Sequence, residues 1–225
     1  MNYPGGKGGV YKRLISLMPP HEVYIETHLG GGSVIRNKRQ SKRNIGIEIN
    51  ADILKKWEQE DQEGIELINT EALKYLGNYN FTGKELVYSD PPYPRSTRKK
   101  RKRIYKYEYT EEQHISLLRF LKRLPCMVMI SSYESELYKD ELGGWHTHSF
   151  QAATHNGLAN EWVWMNYPPP VELHDYRFIG NTFRERERIK RKTTRWLSRL
   201  QSMPVLERQA LLWAIDKEKE ESFGN

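Results

Sequence analysis

Short apolar runs that end at or just before an acid recur along this chain, with helix-forming or polar stretches between them. VYIE at 23–26 is the first such run, and THLGGGSV follows it directly. That order predicts a buried strand running into a glycine turn, with a helix starting over 33–39. NIGIE at 44–48 predicts a second strand, and 52–61 has helical character. IELI at 65–68 predicts a third strand, with the helical LKYL behind it. ELVY at 85–88 predicts a fourth, which delivers Asp90. TEEQ at 110–113 has the spacing of a capping box, and the helix behind it carries Ile115, Leu117, Leu118, Leu121 and Leu124. MVMI at 127–130 predicts a fifth strand, and a short helix over 137–142 stops at Gly143 and Gly144. The segments 145–151 and 161–167 predict a hairpin around a polar loop.

Strands that alternate with helices and close on a hairpin define an α/β fold with a Rossmann-like sheet, mostly parallel with an antiparallel edge. Three prolines at 168–170 end this block. The expected organisation is one domain over 1–167, a linker over 168–181, and a small basic helical appendage over 182–225. Two helices are predicted in the appendage, at 182–200 and 204–219. Trp196, Leu197, Leu200, Leu206, Leu211, Leu212 and Ile215 are expected on their inner faces.

Composition narrows the function classes. The 225 residues suffice for one α/β core plus an appendage, and 37% hydrophobic against 29% charged residues gives a polar surface. No apolar run approaches the ~18 residues of a membrane span, so no membrane partner is expected. The leading MNYPGGKGGVYKR has no apolar core of a secretory signal. A single cysteine, Cys126, excludes an internal disulfide and fits a reducing, cytoplasmic location. Lys and Arg number 36 against 29 Asp and Glu, a net charge of +7. The excess is clustered at 95–106 and 184–199. Clustered positive charge is the footprint of a polyanion partner; a solvated surface is the alternative for each run.

The first two strands frame a binding crevice. Glycines at 30–32, directly after a strand, let a ligand approach the backbone. Gly30 and Gly32 open a G-x-G-x-x-G pattern, but Ile35 holds the third glycine position and the dinucleotide fingerprint fails. Glu48 ends the next strand, where an acid holds ribose hydroxyls in related folds. Glu26, Glu48, Glu71 and Asp90 all fall near predicted strand ends, which line one crevice. Carboxylates attract a cation and repel phosphate. S-adenosylmethionine, a cationic nucleoside without phosphate, suits such a crevice, and no metal is expected. His28, in the same loop, is counted among the cofactor contacts, with a structural histidine as the alternative.

SDPPY at 89–93 is followed by a dense basic run. An exocyclic amine of a nucleobase is a weak nucleophile, because its lone pair is delocalised into the ring. Acceptors aimed at its two N–H groups favour the pyramidal form that takes a methyl group. Asp90 and the Pro91 carbonyl can supply those acceptors. Pro91 and Pro92 hold them stiffly, and the Tyr93 ring offers a face for a planar base. A base must leave the duplex to reach such a pocket.

In order, these segments resemble the Dam-type N6-adenine DNA methyltransferases from about residue 2 to 167. YPGGK at 3–7 looks like the family's N-terminal cofactor motif, which implies that Tyr3 and Lys7 contact S-adenosylmethionine. Glu48 in IGIEIN matches the ribose-binding acid, and Glu71 in TEALKYL the acid that meets the cofactor adenine. SDPPY matches the catalytic motif, and ISSY at 130–133 and EWVWMNY at 161–167 resemble later core segments. The resemblance implies a Rossmann-like class I methyltransferase sheet acting on adenine N6 in DNA. Two departures stand out. Thr27 and His28 replace a usual proline and aromatic. The interval between Glu71 and Asp90 has no room for the recognition domain of larger members. Recognition is therefore expected from the 94–109 loop and the C-terminal helices, with a short or relaxed target. Arg95, Arg98, Lys100, Arg103 and Tyr105 are the candidate DNA contacts; Tyr105, Tyr107 and Tyr109 also fit one strand face. Methylation of RNA adenine or of a protein amide, and a catalytically retired DNA-binding protein, stay open as alternatives. Oligomeric state is not legible.

Overall fold

The computed structural model describes residues 6–60, 63–97, 106–154 and 157–223. Seven strands form one sheet: β1 (Val23–Glu26), β2 (Arg43–Glu48), β3 (Ile65–Asn69), β4 (Glu85–Ser89), β5 (Met127–Tyr133), β6 (His146–Thr154) and β7 (Gly157–Met165). Their order is β3-β2-β1-β4-β5-β7-β6. The pairs from β3 through β5 are parallel, and β7 runs antiparallel to both its neighbours. This is the mostly parallel α/β sheet with an antiparallel edge that the sequence predicts. All five positions of β4 are buried, as expected for a central strand covered on both faces.

Helix α1 (Tyr11–Ile15) precedes β1, and α2 (Ser33–Asn37), α3 (Ala51–Trp57), α4 (Ala72–Gly77), α5 (Glu111–Leu121) and α6 (Glu136–Glu141) lie between strands. Ile25, Ile45, Ile47, Val87, Val128 and Ile130 from the sheet share one core with Leu117, Leu118 and Leu121 of α5. The capping box forms in full. Thr110 Oγ1 accepts the Gln113 N–H at 3.2 Å, and Gln113 Oε1 accepts the Thr110 N–H at 2.8 Å.

The β6–β7 hairpin is longer than its apolar pattern predicts. Backbone pairing continues through Gln151↔Asn160 and Ala152↔Ala159. A ladder needs only paired N–H and C=O groups, so it can continue through residues that add no alternating apolar pattern. The outermost strand is β6, with β7 one place in.

The chain divides into two compact units, Met1–Tyr176 and Arg177–Asn225, and the division falls inside the segment 168–181. The second unit carries α7 (Phe183–Gln201) and α8 (Val205–Phe223). Here the packing departs from expectation. Trp196, Leu197, Leu206, Leu211, Leu212 and Ile215 are exposed, and Leu200 is half-buried. A helical period groups side chains on one face without supplying the partner that buries them. No helix among the described residues is long and apolar enough to cross a membrane.

Candidate active site

The parallel strands bring the predicted acids to one edge of the sheet. Glu26, the last residue of β1, stands opposite Gly46 of β2 and Tyr88 of β4. Two residues further along each flanking strand come Glu48 and Asp90. They therefore flank the end of β1, separated by two strand spacings, about 10 Å. Between β1 and β4 the strand order reverses, and the crevice of an open α/β sheet forms at that point.

The glycine loop is tied to this edge by its own backbone. The Leu29 N–H donates to the Ile47 carbonyl, and the Gly30 N–H donates to Glu48 Oε2, each at 2.9 Å. Glu48 Oε1 accepts the Asn50 N–H at 2.9 Å. Burial raises the Glu48 carboxyl above its ordinary range, against the lowering effect of these backbone bonds. Gly30 and Gly32 have φ of 48° and 60°, the left-handed region. Gly32 has a packing requirement besides. A Cβ there would lie 2.1 Å from Trp57 Cζ2, and the Trp57 indole N–H donates to the Gly30 carbonyl at 2.8 Å. Ile35, at the failed third glycine position, donates its N–H to Glu26 Oε2 at 3.0 Å. The Tyr24 hydroxyl donates to the same oxygen at 3.0 Å. Burial pushes Glu26 up to about 8, so its carboxyl is protonated at neutral pH.

On the other side of β1, the Asp-Pro-Pro-Tyr element meets Lys7. Lys7 Nζ lies 2.8 Å from Asp90 Oδ1, 2.7 Å from Glu161 Oε1 and 2.6 Å from the Tyr93 hydroxyl. The Tyr93 hydroxyl donates to Glu161 Oε1, and the Tyr93 ring packs edge-on against Tyr133 with centroids 4.6 Å apart. Burial works against the Lys7 charge, but Asp90 and Glu161 outweigh it and hold the ammonium above its ordinary range. Burial pushes Asp90 up to about 6; Lys7 pulls it down and Glu161 adds to the rise. Tyr93 is held well above the usual phenol range by burial and by these two carboxylates. It stays neutral.

His28 and Glu71 meet through Tyr109. The Tyr109 hydroxyl donates to Glu71 Oε1 and lies 3.1 Å from His28 Nε2. His28 Nδ1 lies 2.8 Å from Thr27 Oγ1. With the phenol proton committed to Glu71, this network assigns the His28 proton to Nε2. Burial pulls His28 down to about 3, so the ring is uncharged at neutral pH. Glu71 also caps α4, accepting the Lys74 N–H at 2.9 Å. Arg95 is paired with Glu108 at 2.7 Å. Tyr3, Arg98, Lys100, Arg103 and Tyr105 lie outside the described residues.

Sequence reasoning missed Glu161, which is only 4% exposed. An acid heading the apolar run EWVWMNY looks like a solvated strand start. In the sheet, Glu161 pairs with Tyr133 at the C-terminal end of β5. Because β7 is antiparallel, its early residues reach the edge where the parallel strands end. The topology already predicted from the sequence was the signal that could have found it. Among the described residues, no group of three or more His, Cys, Asp or Glu side chains is arranged to hold a metal ion.

No protein-family model matches the chain, and no curated protein matches it in sequence. The likeness is to solved structures. An O-methyltransferase candidate from Klebsiella pneumoniae is 12% identical at a TM-score of 0.50, over 74% of this chain and 82% of its own. TrmK from M. capricolum, in complex with S-adenosyl-homocysteine, is 10% identical at 0.47, over 94% of this chain and 95% of its own. The 23S rRNA methyltransferase ErmE is 10% identical at 0.47, over 77% and 72%. At such identities the likeness is one of fold. This chain has the Rossmann-like fold of the class I methyltransferases, followed by two C-terminal helices.

Proposed function

We propose that this chain transfers a methyl group from S-adenosylmethionine to the exocyclic N6 of adenine in DNA, with the base flipped into the Asp90-Pro91-Pro92-Tyr93 corner. One observation carries the reading. Asp90 of that element, bound to Lys7, stands at the same sheet edge as Glu48 and the glycine loop. The Dam-type assignment rests on the chain's own motifs in their order.

The residues fit the cofactor. With the backbone N–H groups of Asn50, Gly30 and Ile49 acting on it, the Glu48 carboxyl still has acceptor capacity for a ribose hydroxyl. The net negative corner of Asp90 and Glu161 around Lys7 suits a cation without phosphate. When bound, S-adenosylmethionine supplies an electrophilic methyl group on a sulfonium. The protein's part is positioning and polarisation. Asp90 accepts one N–H of the substrate amine and the Pro91 carbonyl accepts the other, which localises the nitrogen lone pair. Tyr93, fixed through its hydroxyl and against Tyr133, presents its ring to the base. Asp90 then takes the proton released once the new N–C bond has formed, and passes it to solvent. No covalent enzyme intermediate is needed.

Asp90, where RNA-base and protein-amide enzymes commonly present Asn, favours DNA. The test is transfer of tritiated methyl to unmethylated DNA, with RNA and protein in parallel. Label at adenine N6 of DNA supports the reading. Label in RNA or protein alone reassigns the substrate, and cofactor binding without transfer to any of the three favours a retired enzyme.

A further inference from the structure

An ammonium has three N–H donors, and Lys7 has three acceptors within 2.8 Å: Asp90, Glu161 and the Tyr93 hydroxyl. Its capacity is filled. Two carboxylates around one ammonium leave a net charge of −1 in a largely buried corner. Without Glu161 the same corner would be neutral, and Asp90 would be the only anion answering a buried cation. Its acceptor strength would then be spent on Lys7. Methyl transfer moves positive charge from sulfur to the amine nitrogen, so a net negative corner beside that nitrogen is what the reaction requires.

We propose that Glu161 is a positioning residue for methyl transfer: it shares the charge of Lys7 and fixes Tyr93, so that Asp90 keeps more of its acceptor strength for the substrate amine. This rests on the methyltransferase reading above. Several titratable groups act on Asp90 or feel its charge. They are Lys7 from the N-terminal turn, Glu161 from β7, Tyr93 from its own loop, Tyr88 from β4, Tyr24 and Glu26 from β1, and Tyr138 from α6. Lys7 and Glu161 act on Asp90 in opposite directions. Removing one or the other must move its titration oppositely.

The experiment compares the full-length wild type with Glu161→Gln, Glu161→Asp and Lys7→Met. Carboxyl-selective ¹³C NMR, assigned with Asp90→Asn, follows the Asp90 titration without any substrate. In Glu161→Gln the midpoint falls by about half a pH unit or more, and in Lys7→Met it rises. Glu161→Asp, which keeps the charge, stays near wild type. In methyl transfer to adenine-containing DNA, Glu161→Gln lowers kcat about tenfold or more with cofactor KM little changed. The acid limb of its pH profile moves with the NMR midpoint, and Glu161→Asp restores part of the rate. An Asp90 midpoint that stays put in Glu161→Gln, or that moves the same way in Glu161→Gln and Lys7→Met, overturns the inference. So does a Glu161→Gln enzyme with wild-type kcat. A wild type that methylates nothing in DNA overturns the functional reading instead, while the NMR titrations still test the charge arrangement.

Discussion

Glu48 and Gly30 are joined by a 2.9 Å hydrogen bond, N–H to carboxylate, that ties the end of β2 to the loop leaving β1. The loop and the acid are therefore one unit, and each sets the other's position. Glu48→Ala removes both the clamp and the proposed ribose acceptor. Its affinity for S-adenosylhomocysteine should fall about 10- to 100-fold by calorimetry, the scale of losing hydrogen bonds to a charged acceptor. Glu48→Gln should fall less, because one acceptor oxygen stays. Unchanged affinity in Glu48→Ala would place the cofactor elsewhere.

Gly32 is required by packing as well as by conformation. In Gly32→Ala the new Cβ would occupy left-handed backbone and overlap the Trp57 ring. Urea unfolding should show a loss of about 2–4 kcal/mol. Trp57→Phe removes the overlapping carbons, so the double variant should lose less than the sum of the singles. Additive losses would mean that the backbone alone accounts for the glycine.

The strands and the Asp-Pro-Pro-Tyr element are legible in the sequence because short apolar runs ending at acids have few other structural uses. Glu26 and Glu48 land at the edge that their place in those runs implies. The tertiary demands on the same residues are not legible. Nothing local says that Trp57 will roof Gly32, or that Glu26 will be bound by Tyr24 and Ile35. Glu161 escapes because its partners, Lys7 and Tyr93, are 154 and 68 residues away in sequence. The apolar residues of α7 and α8 follow a helical period, and a period tells which side chains share a face without telling what covers it.

Buried Glu26 makes a signed prediction for stability against pH. Its pKa rises from an unfolded value near 4.5 to about 8 in the folded chain. Between those values the folded state binds the extra proton. The contribution is therefore complete below about 4.5 and is lost as pH rises through about 8. Glu26→Gln removes this slope. Urea unfolding across that window should show the variant gaining on wild type as pH rises, by a few kcal/mol at the alkaline end. A constant difference between the two chains would contradict it.

Asp90 makes the matching prediction for activity. Its carboxyl is pushed up to about 6 by burial, with Lys7 opposing. A protonated acid is a weaker acceptor than a carboxylate and cannot take up the proton that the amine releases. The rate of transfer should fall about tenfold per pH unit below pH 6. His28, pulled down to about 3, contributes no step there. His28→Gln should therefore leave the acid limb in place, whereas Asp90→Ala should abolish transfer and keep cofactor binding. A limb that disappears in His28→Gln would move the titrating group away from Asp90.

Arg184, Arg188, Arg191, Arg195 and Arg199 recur at helical spacing along α7 and are all exposed. They form a stripe about 22 Å long. If it tracks phosphates, changing all five to Gln should weaken DNA binding at low salt. The salt dependence, log K against log salt, should flatten by up to about four units. An unchanged slope would assign the stripe to solvent.

The most direct test of the central claim is the site of the transferred methyl. Wild-type protein and Asp90→Ala are incubated with labelled S-adenosylmethionine and unmethylated DNA, and the digested nucleosides are separated. The account predicts label in N6-methyladenine with wild type and none with Asp90→Ala. Label on another base, or equal label from both proteins, would contradict it.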